Sequence, residues 1–187
     1  MEAEIEKCAE LLLQGKVILY PTDTIWGLGC DATNEEAVKR VFAIKQRIEG
    51  KSMLVLLDKS DRLPLYVKRI PLIAWDLINE PLRPTTFIYP EGYNIAPSVV
   101  SNDGTLAIRI VRNLFCQKLI ARIDRPIVST SANISGMPAP QLFSDITPQV
   151  KSLVDHIVPE TFADSTDYKP SRLIKFIDDY NFVVVRE

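Results

Sequence analysis

Apolar residues recur along this chain in two rhythms. From about Ala3 to Gln14, Ile5, Cys8, Ala9, Leu12 and Leu13 keep helical spacing, which predicts an amphipathic helix ended by Gly15. Val17 to Tyr20 is a continuous apolar run of the buried-strand kind. Pro21 ends it, because proline cannot donate to a central ladder. The helical rhythm returns in Val38, Val41, Phe42 and Ile44, behind Thr33 or Asn34 as N-cap and with Glu35 and Glu36 at the positive end of the dipole. Leu54 to Leu57 reads as a second buried strand, and Asp58 to Val67 as a loop running into a short helix.

The remainder alternates in the same way. A helix is expected over Pro71 to Asn79, with Ile73, Ala74, Leu77 and Ile78 inward, then a strand over Thr86 to Tyr89. Thr105 to Ile110 alternates: Thr105, Ala107 and Arg109 share one face, and Leu106, Ile108 and Ile110 the other. Asn113 to Ile123 reads as a helix with Leu114, Leu119, Ile120 and Ile123 toward the core. A strand begins at Pro126 to Val128, a short helix falls within Phe143 to Val154, and strands follow at Ile157–Val158, Leu173–Ile177 and Phe182–Val185. Strands interleaved with helices predict an α/β fold.

Polar stretches interrupt this pattern. Thr22, Asp23 and Thr24 offer hydroxyls and a carboxylate after the first strand, and Gly27 and Gly29 would let the backbone bend or approach a ligand. The second helix must be nearly over at Lys45, since Lys45 and Arg47 can serve one site only if Arg47 lies on turn or extended backbone. Lys45, Arg47 and Lys51 then gather three cations facing the hydroxyl loop, which suits a polyphosphate. The same three also suit a solvated helix end whose cations complement the dipole. Arg109 interrupts an otherwise apolar strand, so it is paired, solvated or a ligand for a carboxylate. In the run from Ser129 to Pro140, Ser131 and Asn133 point the same way on extended backbone, as phosphate or base-edge ligands or as part of an ordinary polar loop. Arg83, between prolines, is either a phosphate ligand or a surface charge.

Composition narrows the class. The chain has 187 residues, 47% of them hydrophobic and 25% charged, which fits one domain over residues 1–187 with a full-sized core. A net charge of −2 gives no global field favouring nucleic acid. Cys8, Cys30 and Cys116 are far apart, match neither a zinc spacing nor a disulfide framework, and point to a reducing, cytoplasmic setting. No metal-ligating spacing and no membrane-length apolar run occurs, and the single histidine, His156, reads as structural.

YPTDTIWGLGCDA, the Lys-x-Arg after the helix, the Thr-x-x-x-Arg strand and STSANISG follow in an order that resembles the YrdC-like family of threonylcarbamoyl-AMP synthases. The resemblance covers essentially the whole chain. It implies a single-domain twisted open mixed α/β sheet with flanking helices around a concave basic cavity. It also implies an activity: L-threonine, bicarbonate and ATP, with Mg2+, give threonylcarbamoyl-adenylate and pyrophosphate, and a separate transferase complex uses the product on tRNA.

By motif, Lys45 and Arg47 would be the catalytic cations. Arg47, Lys51, Thr105, Asn133, Gln141 and Arg186 would contact ATP, and Thr24, Arg109, Ser131 and Ser171 would contact threonine. Gln141 stands where the family has Ser or Thr, Ile48 where it has proline, and Leu82-Arg-Pro-Thr where it has Pro-Gly-Pro-x-Thr. Two other readings compete. One is a double-stranded RNA or tRNA binding module without catalysis, using Arg83, Arg109 and Arg112. The other is a carbamoyl-adenylate enzyme using carbamoyl phosphate, whose zinc-type cysteine pairs are absent from this sequence.

Overall fold

The chain is described from a computed structural model at residues 1–47, 53–79, 83–164 and 169–187. Helix α1 runs Glu2–Leu13 and buries Ile5, Cys8, Ala9 and Leu12. Gly15 follows with φ 74°, and its left-handed backbone lets the Lys16 amide donate to the Leu11 carbonyl at 3.0 Å. Leu13, expected inward, is 50% exposed, because the step from Leu12 carries it off the apolar stripe. Helix α2, Glu35–Lys45, is capped by the Asn34 side chain, which accepts from the Ala37 amide. It stops where the spacing of Lys45 and Arg47 requires: Gln46 is left-handed at φ 49°, and the Arg47 amide donates back to the Phe42 carbonyl at 3.0 Å.

Three more helices follow: α3 (Leu72–Ile78), α4 (Leu114–Ile123) and α5 (Pro148–Leu153). Leu114 was expected in the core but is 50% exposed at the first turn of α4, where Phe115 and Cys116 point inward instead.

Among the described residues nine strands form one mixed sheet. They are β1 (Ile18–Tyr20), β2 (Gly27–Gly29), β3 (Leu54–Leu57), β4 (Thr85–Tyr89), β5 (Leu106–Ile110), β6 (Ile127–Ser131), β7 (His156–Ile157), β8 (Arg172–Phe176) and β9 (Phe182–Arg186). Their order is β7-β1-β2-β6-β3-β5-β4-β8-β9, with β7/β1, β3/β5 and β4/β8 parallel and the other neighbours antiparallel.

Strand β2 holds both glycines that the sequence offered for a bend or a close approach to a ligand: Gly27 does line the cavity described below, whereas Gly29 answers to packing inside the sheet. The strand pairs with β1 (Ile18 opposite Gly29) and with β6 (Gly27 opposite Ser131). A Cβ on Gly29 would stand 2.5 Å from the Tyr20 ring and 2.7 Å from the Val128 carbonyl oxygen, so glycine is what lets the ring cross the strand.

The two faces of the sheet differ. One carries a continuous apolar core, in which Val55, Leu57, Phe87, Tyr89, Ile108, Val128, Ile174 and Phe176 meet α2, α3 and α5. The other has a closed apolar cluster under α1 and α4, where Ile18, Tyr20, Leu56 and Ile127 are buried. Along the alternate positions of the remaining strands the same face turns polar: Thr86 on β4, Arg109 on β5, and Ser129 and Ser131 on β6. That uncovered half of the sheet is where the site lies.

Candidate active site

A cavity of about 380 Å3 opens on the uncovered half-face. Its polar lining includes Thr24, Arg47, Thr86, Arg109, Ser131, Ser171 and Arg186; Ile25, Trp26, Met53, Leu54, Ile88 and Leu173 supply apolar wall. An adjoining cleft of about 440 Å3 is lined by Lys45, Gln46, Arg47, Ser131, Asn133, Ser135 and Gly136. Arg47 and Ser131 belong to both hollows, so cavity and cleft form one continuous site. Residues from the Thr-rich loop, the end of α2, β5, β6 and the C-terminal strands therefore converge across most of the sequence.

Each side chain is held by its element. Lys45, the last residue of α2, is 2% exposed. Its Nζ donates to the carbonyls of Ser131 (2.5 Å) and Asn133 (2.8 Å) and to Asn133 Oδ1 (3.3 Å), which ties the end of α2 to the segment leaving β6. Burial, and then the nearby Arg47 charge, lower its pKa from 10.5 to about 8. Burial lowers the pKa of Arg47 as well. Ser131 Oγ donates to Asn133 Oδ1 at 2.5 Å, so the two residues do point together.

Arg109 is 2% exposed at the floor of the cavity. Its Nη2 lies 3.2 Å from Asp23 Oδ1 and 3.4 Å from Thr22 Oγ1, while its buried Nε has no hydrogen-bond acceptor. A buried guanidinium N–H without an acceptor costs about 1–3 kcal/mol or more, and a ligand oxygen would recover that energy. Thr22 is the hub of this corner: its hydroxyl meets Thr24 Oγ1 at 2.9 Å, accepts from the Thr24 amide at 3.1 Å and donates to the Ile25 carbonyl at 2.8 Å. Opposite, Thr86 and Ser171 share a hydroxyl–hydroxyl bond of 2.7 Å. The Arg186 guanidinium donates to the Ser171 carbonyl through Nε at 3.1 Å and Nη2 at 2.8 Å. Burial first, and Arg109 second, lower the pKa of Arg186.

Three arginines thus line one cavity, with no acidic side chain among its described lining residues. Burial is the first cause of the downward shifts at Lys45, Arg47 and Arg186, because taking a cation out of water disfavours its charged form. An anion entering the cavity would favour those charged forms again.

Not every expected residue converges. Thr105 is absent from the lining, and its hydroxyl donates to Asp103 Oδ1 at 2.6 Å. Gln141 lines a neighbouring groove that shares Gln46 and Asn133 with the cleft. Lys51 lies outside the described residues, as do Ile48 and Leu82. Arg83 pairs with Glu187 at the surface beside Arg186. Cys30 and Cys116 are fully buried, and burial raises both thiols. Sequence reasoning took Thr86 only as the start of a strand, and it named Thr22 and Ser129 only within polar stretches, without assigning either a contact. Thr86 was accessible from the alternation with Ile88 in β4, whereas the hub role of Thr22 depends on a distant Arg109.

The chain is 31% identical over 168 residues to the threonylcarbamoyl-AMP synthase of Pseudoalteromonas translucida, covering 88% of this chain and 90% of that protein. With the synthase of Hahella chejuensis it shares 34% identity over 177 residues, covering 90% and 91%. Among solved structures, P. abyssi Sua5 complexed with L-threonine superposes with a TM-score of 0.87 at 29% identity. That match takes in 100% of this chain and 54% of the Sua5 chain, so the present chain spans about half the length of that protein. The model of the Sua5/YciO/YrdC family, described as telomere recombination, matches residues 10–187. A match that nearly spans the chain, together with the shared fold, makes this protein a member of the Sua5/YciO/YrdC family.

Proposed function

We propose that this protein is an L-threonylcarbamoyl-AMP synthase, a nucleotidyltransferase that forms threonylcarbamoyl-adenylate and pyrophosphate from L-threonine, bicarbonate and ATP. The observation that carries the reading is the convergence of Arg47, Arg109 and Arg186 with Thr24, Ser131 and Ser171 in one cavity, joined to the cleft of Lys45 and Asn133. Relatives about 30% identical over most of the chain carry the synthase name, and the Sua5 relative was solved with L-threonine.

In this reading the two hollows divide the substrates. The threonine carboxylate sits on Arg109, whose Nε lacks an acceptor, with Thr24, Ser131 and Ser171 as hydroxyl partners. The triphosphate lies along the cleft on Lys45, Arg47 and Asn133. Lys51, Gln141 and Arg186 are the further nucleotide contacts carried by motif, and Thr105, which stands outside both hollows, drops out of that set. Threonine's amine and bicarbonate form a carbamate with loss of water. The carbamate oxygen then bonds the α-phosphorus, and the bond to the leaving pyrophosphate breaks. Both reactants are anions, so the cations act first by reducing their repulsion and then by stabilising charge on the leaving group.

Positioning supplies much of the rest, since the nucleophile comes from the substrate and no enzyme nucleophile is required. Magnesium would enter with the nucleotide and supply positive charge against its phosphates; the described lining of the cavity offers no carboxylate to hold it. The product would pass to a separate transferase acting on tRNA in the cytoplasm. A surface RNA groove built on Arg109 is disfavoured, because that side chain is buried.

The test is pyrophosphate release by purified protein, with each substrate omitted in turn, alongside detection of threonylcarbamoyl-adenylate. Release that needs threonine, bicarbonate and ATP together supports the proposal. ATP turnover independent of threonine, or dependence on carbamoyl phosphate, would refute it.

A further inference from the structure

Away from the cavity, α1 and the edge strand β7 bring together three side chains of a different chemistry. Glu4 and Cys8 are one helical turn apart on α1, and Cys8 lies on its buried face beside Ile5 and Leu12. Strand β7 pairs in parallel with β1 so that His156 stands opposite Ile18, a residue packed in the same apolar cluster as Cys8. His156 is therefore delivered to the α1 side of the sheet. Its Nε2 lies 2.5 Å from Glu4 Oε1, and Cys8 Sγ lies 3.8 Å from the same oxygen. A thiol sulfur, an imidazole nitrogen and a carboxylate oxygen thus all lie within 4.8 Å of one another.

From these residues we propose a site for a borderline-soft divalent cation of the zinc class, with Glu4, Cys8 and His156 as protein ligands and a fourth position open to water. Sulfur, nitrogen and oxygen donors in one cluster are the set that zinc takes, and three protein ligands leave a tetrahedral ion one exchangeable position. Typical bond lengths put tetrahedral donors about 3.4–3.7 Å apart. The sulfur–oxygen distance, 3.8 Å, is close to that already. Imidazole and carboxylate have to part by about 1 Å, which the ion achieves by replacing the proton they share. Access is present, since the side chains of His156 and Glu4 keep 14% and 18% of their exposure at the sheet edge, while Cys8 forms the closed floor. Sequence spacing could not disclose the group, because the histidine is 152 residues from Glu4. An ion here would fasten the first helix to the outermost strand of that side, remote from the cavity.

The experiment uses full-length protein freed of metal, with excess magnesium present to fill oxygen-only sites. Cobalt(II) is the probe, followed by its thiolate charge-transfer absorption and tetrahedral visible bands, and zinc(II) is then used to displace it. The wild-type chain should take up one equivalent with the thiolate band. Glu4→Gln, His156→Gln and Cys8→Ser should each weaken uptake by roughly 100-fold or more, since even an outer-shell partner is worth about 10–100-fold. Zinc at about 100 times its dissociation constant should raise the melting temperature of the wild type by about 5–10 °C and leave His156→Gln unmoved. Glu4→Gln keeps an acceptor for the histidine and tests the site even where Cys8→Ser perturbs packing. No cobalt band in the wild type, or equal uptake by Glu4→Gln and His156→Gln, would overturn the proposal.

Discussion

Replacing Lys45 by methionine separates what the lysine does for folding from what it does for catalysis. The folded chain holds the Lys45 proton less tightly than an exposed lysine does, about 8 against 10.5, because of burial and then Arg47. Below pH 8 the folded and unfolded chains both carry the charge, and the folded state bears the whole penalty. Between pH 8 and 10.5 the unfolded chain binds more proton, so stability rises with pH and the penalty is relieved. At about 1.4 kcal/mol per pH unit, the gap amounts to about 3 kcal/mol.

Methionine removes that penalty but also the bonds to the Ser131 and Asn133 carbonyls, so at pH 7 the two effects should cancel to within about 2 kcal/mol. Activity should not be spared: loss of one charge-stabilising donor costs about two to three orders of magnitude in kcat. Urea unfolding of both proteins at pH 7 and pH 10, with pyrophosphate release at pH 7, makes the comparison. Burial raises the thiols and phenols of the core, so in that range they ionise only in the unfolded chain; they occur in both proteins and drop out of the difference. A stability difference that stays constant with pH would refute the electrostatic account, and unchanged turnover would refute the catalytic one.

The same lowered lysine predicts weaker binding of pyrophosphate above pH 8, by up to about tenfold per pH unit. Calorimetric titration should find that slope in the wild type and lose it in Lys45→Met; a flat wild-type profile would count against it. Arg109→Lys keeps the charge but loses the guanidinium fork, so KM for threonine should rise about 10- to 150-fold, the equivalent of one charged hydrogen bond. Steady-state kinetics showing only a fall in kcat would mean that Arg109 serves another step. Gly29→Ala forces a methyl against the Val128 carbonyl and the Tyr20 ring, and should destabilise the fold by about 3 kcal/mol, the upper end of overpacking. A urea-derived loss under about 1 kcal/mol would show that β1 and β6 can part there.

Much of this was legible in the sequence because burial imposes a period on the chain. The apolar steps of α2, the cap at Asn34 and the break after Lys45 are local signals, and the structure repeats them. Alternation in β5 put Arg109 and Ala107 on one face, and that face lines the cavity. Residues set by long-range geometry were misread. Gly27 and Gly29 look like loop because glycine is poor strand material, yet the Tyr20 ring requires one of them inside β2. Leu13 falls one step off the apolar stripe of α1, and Leu114 sits at the first turn of α4, so both are half-exposed. Asp23, read as a capping or ligand group, is a counter-ion for Arg109 from 86 positions further along.

The division of the sheet into one fully packed face and one half-open face bears on how such a protein changes over time. On the central strands, neighbouring positions belong to separate worlds: Phe87 and Ile108 hold the fold, while Thr86 and Arg109 meet what enters from solvent. Exchange of the second set leaves the interlocked core on the far side undisturbed. One scaffold can in this way be re-tailored for a different ligand by altering a few alternate side chains, with its folding left intact.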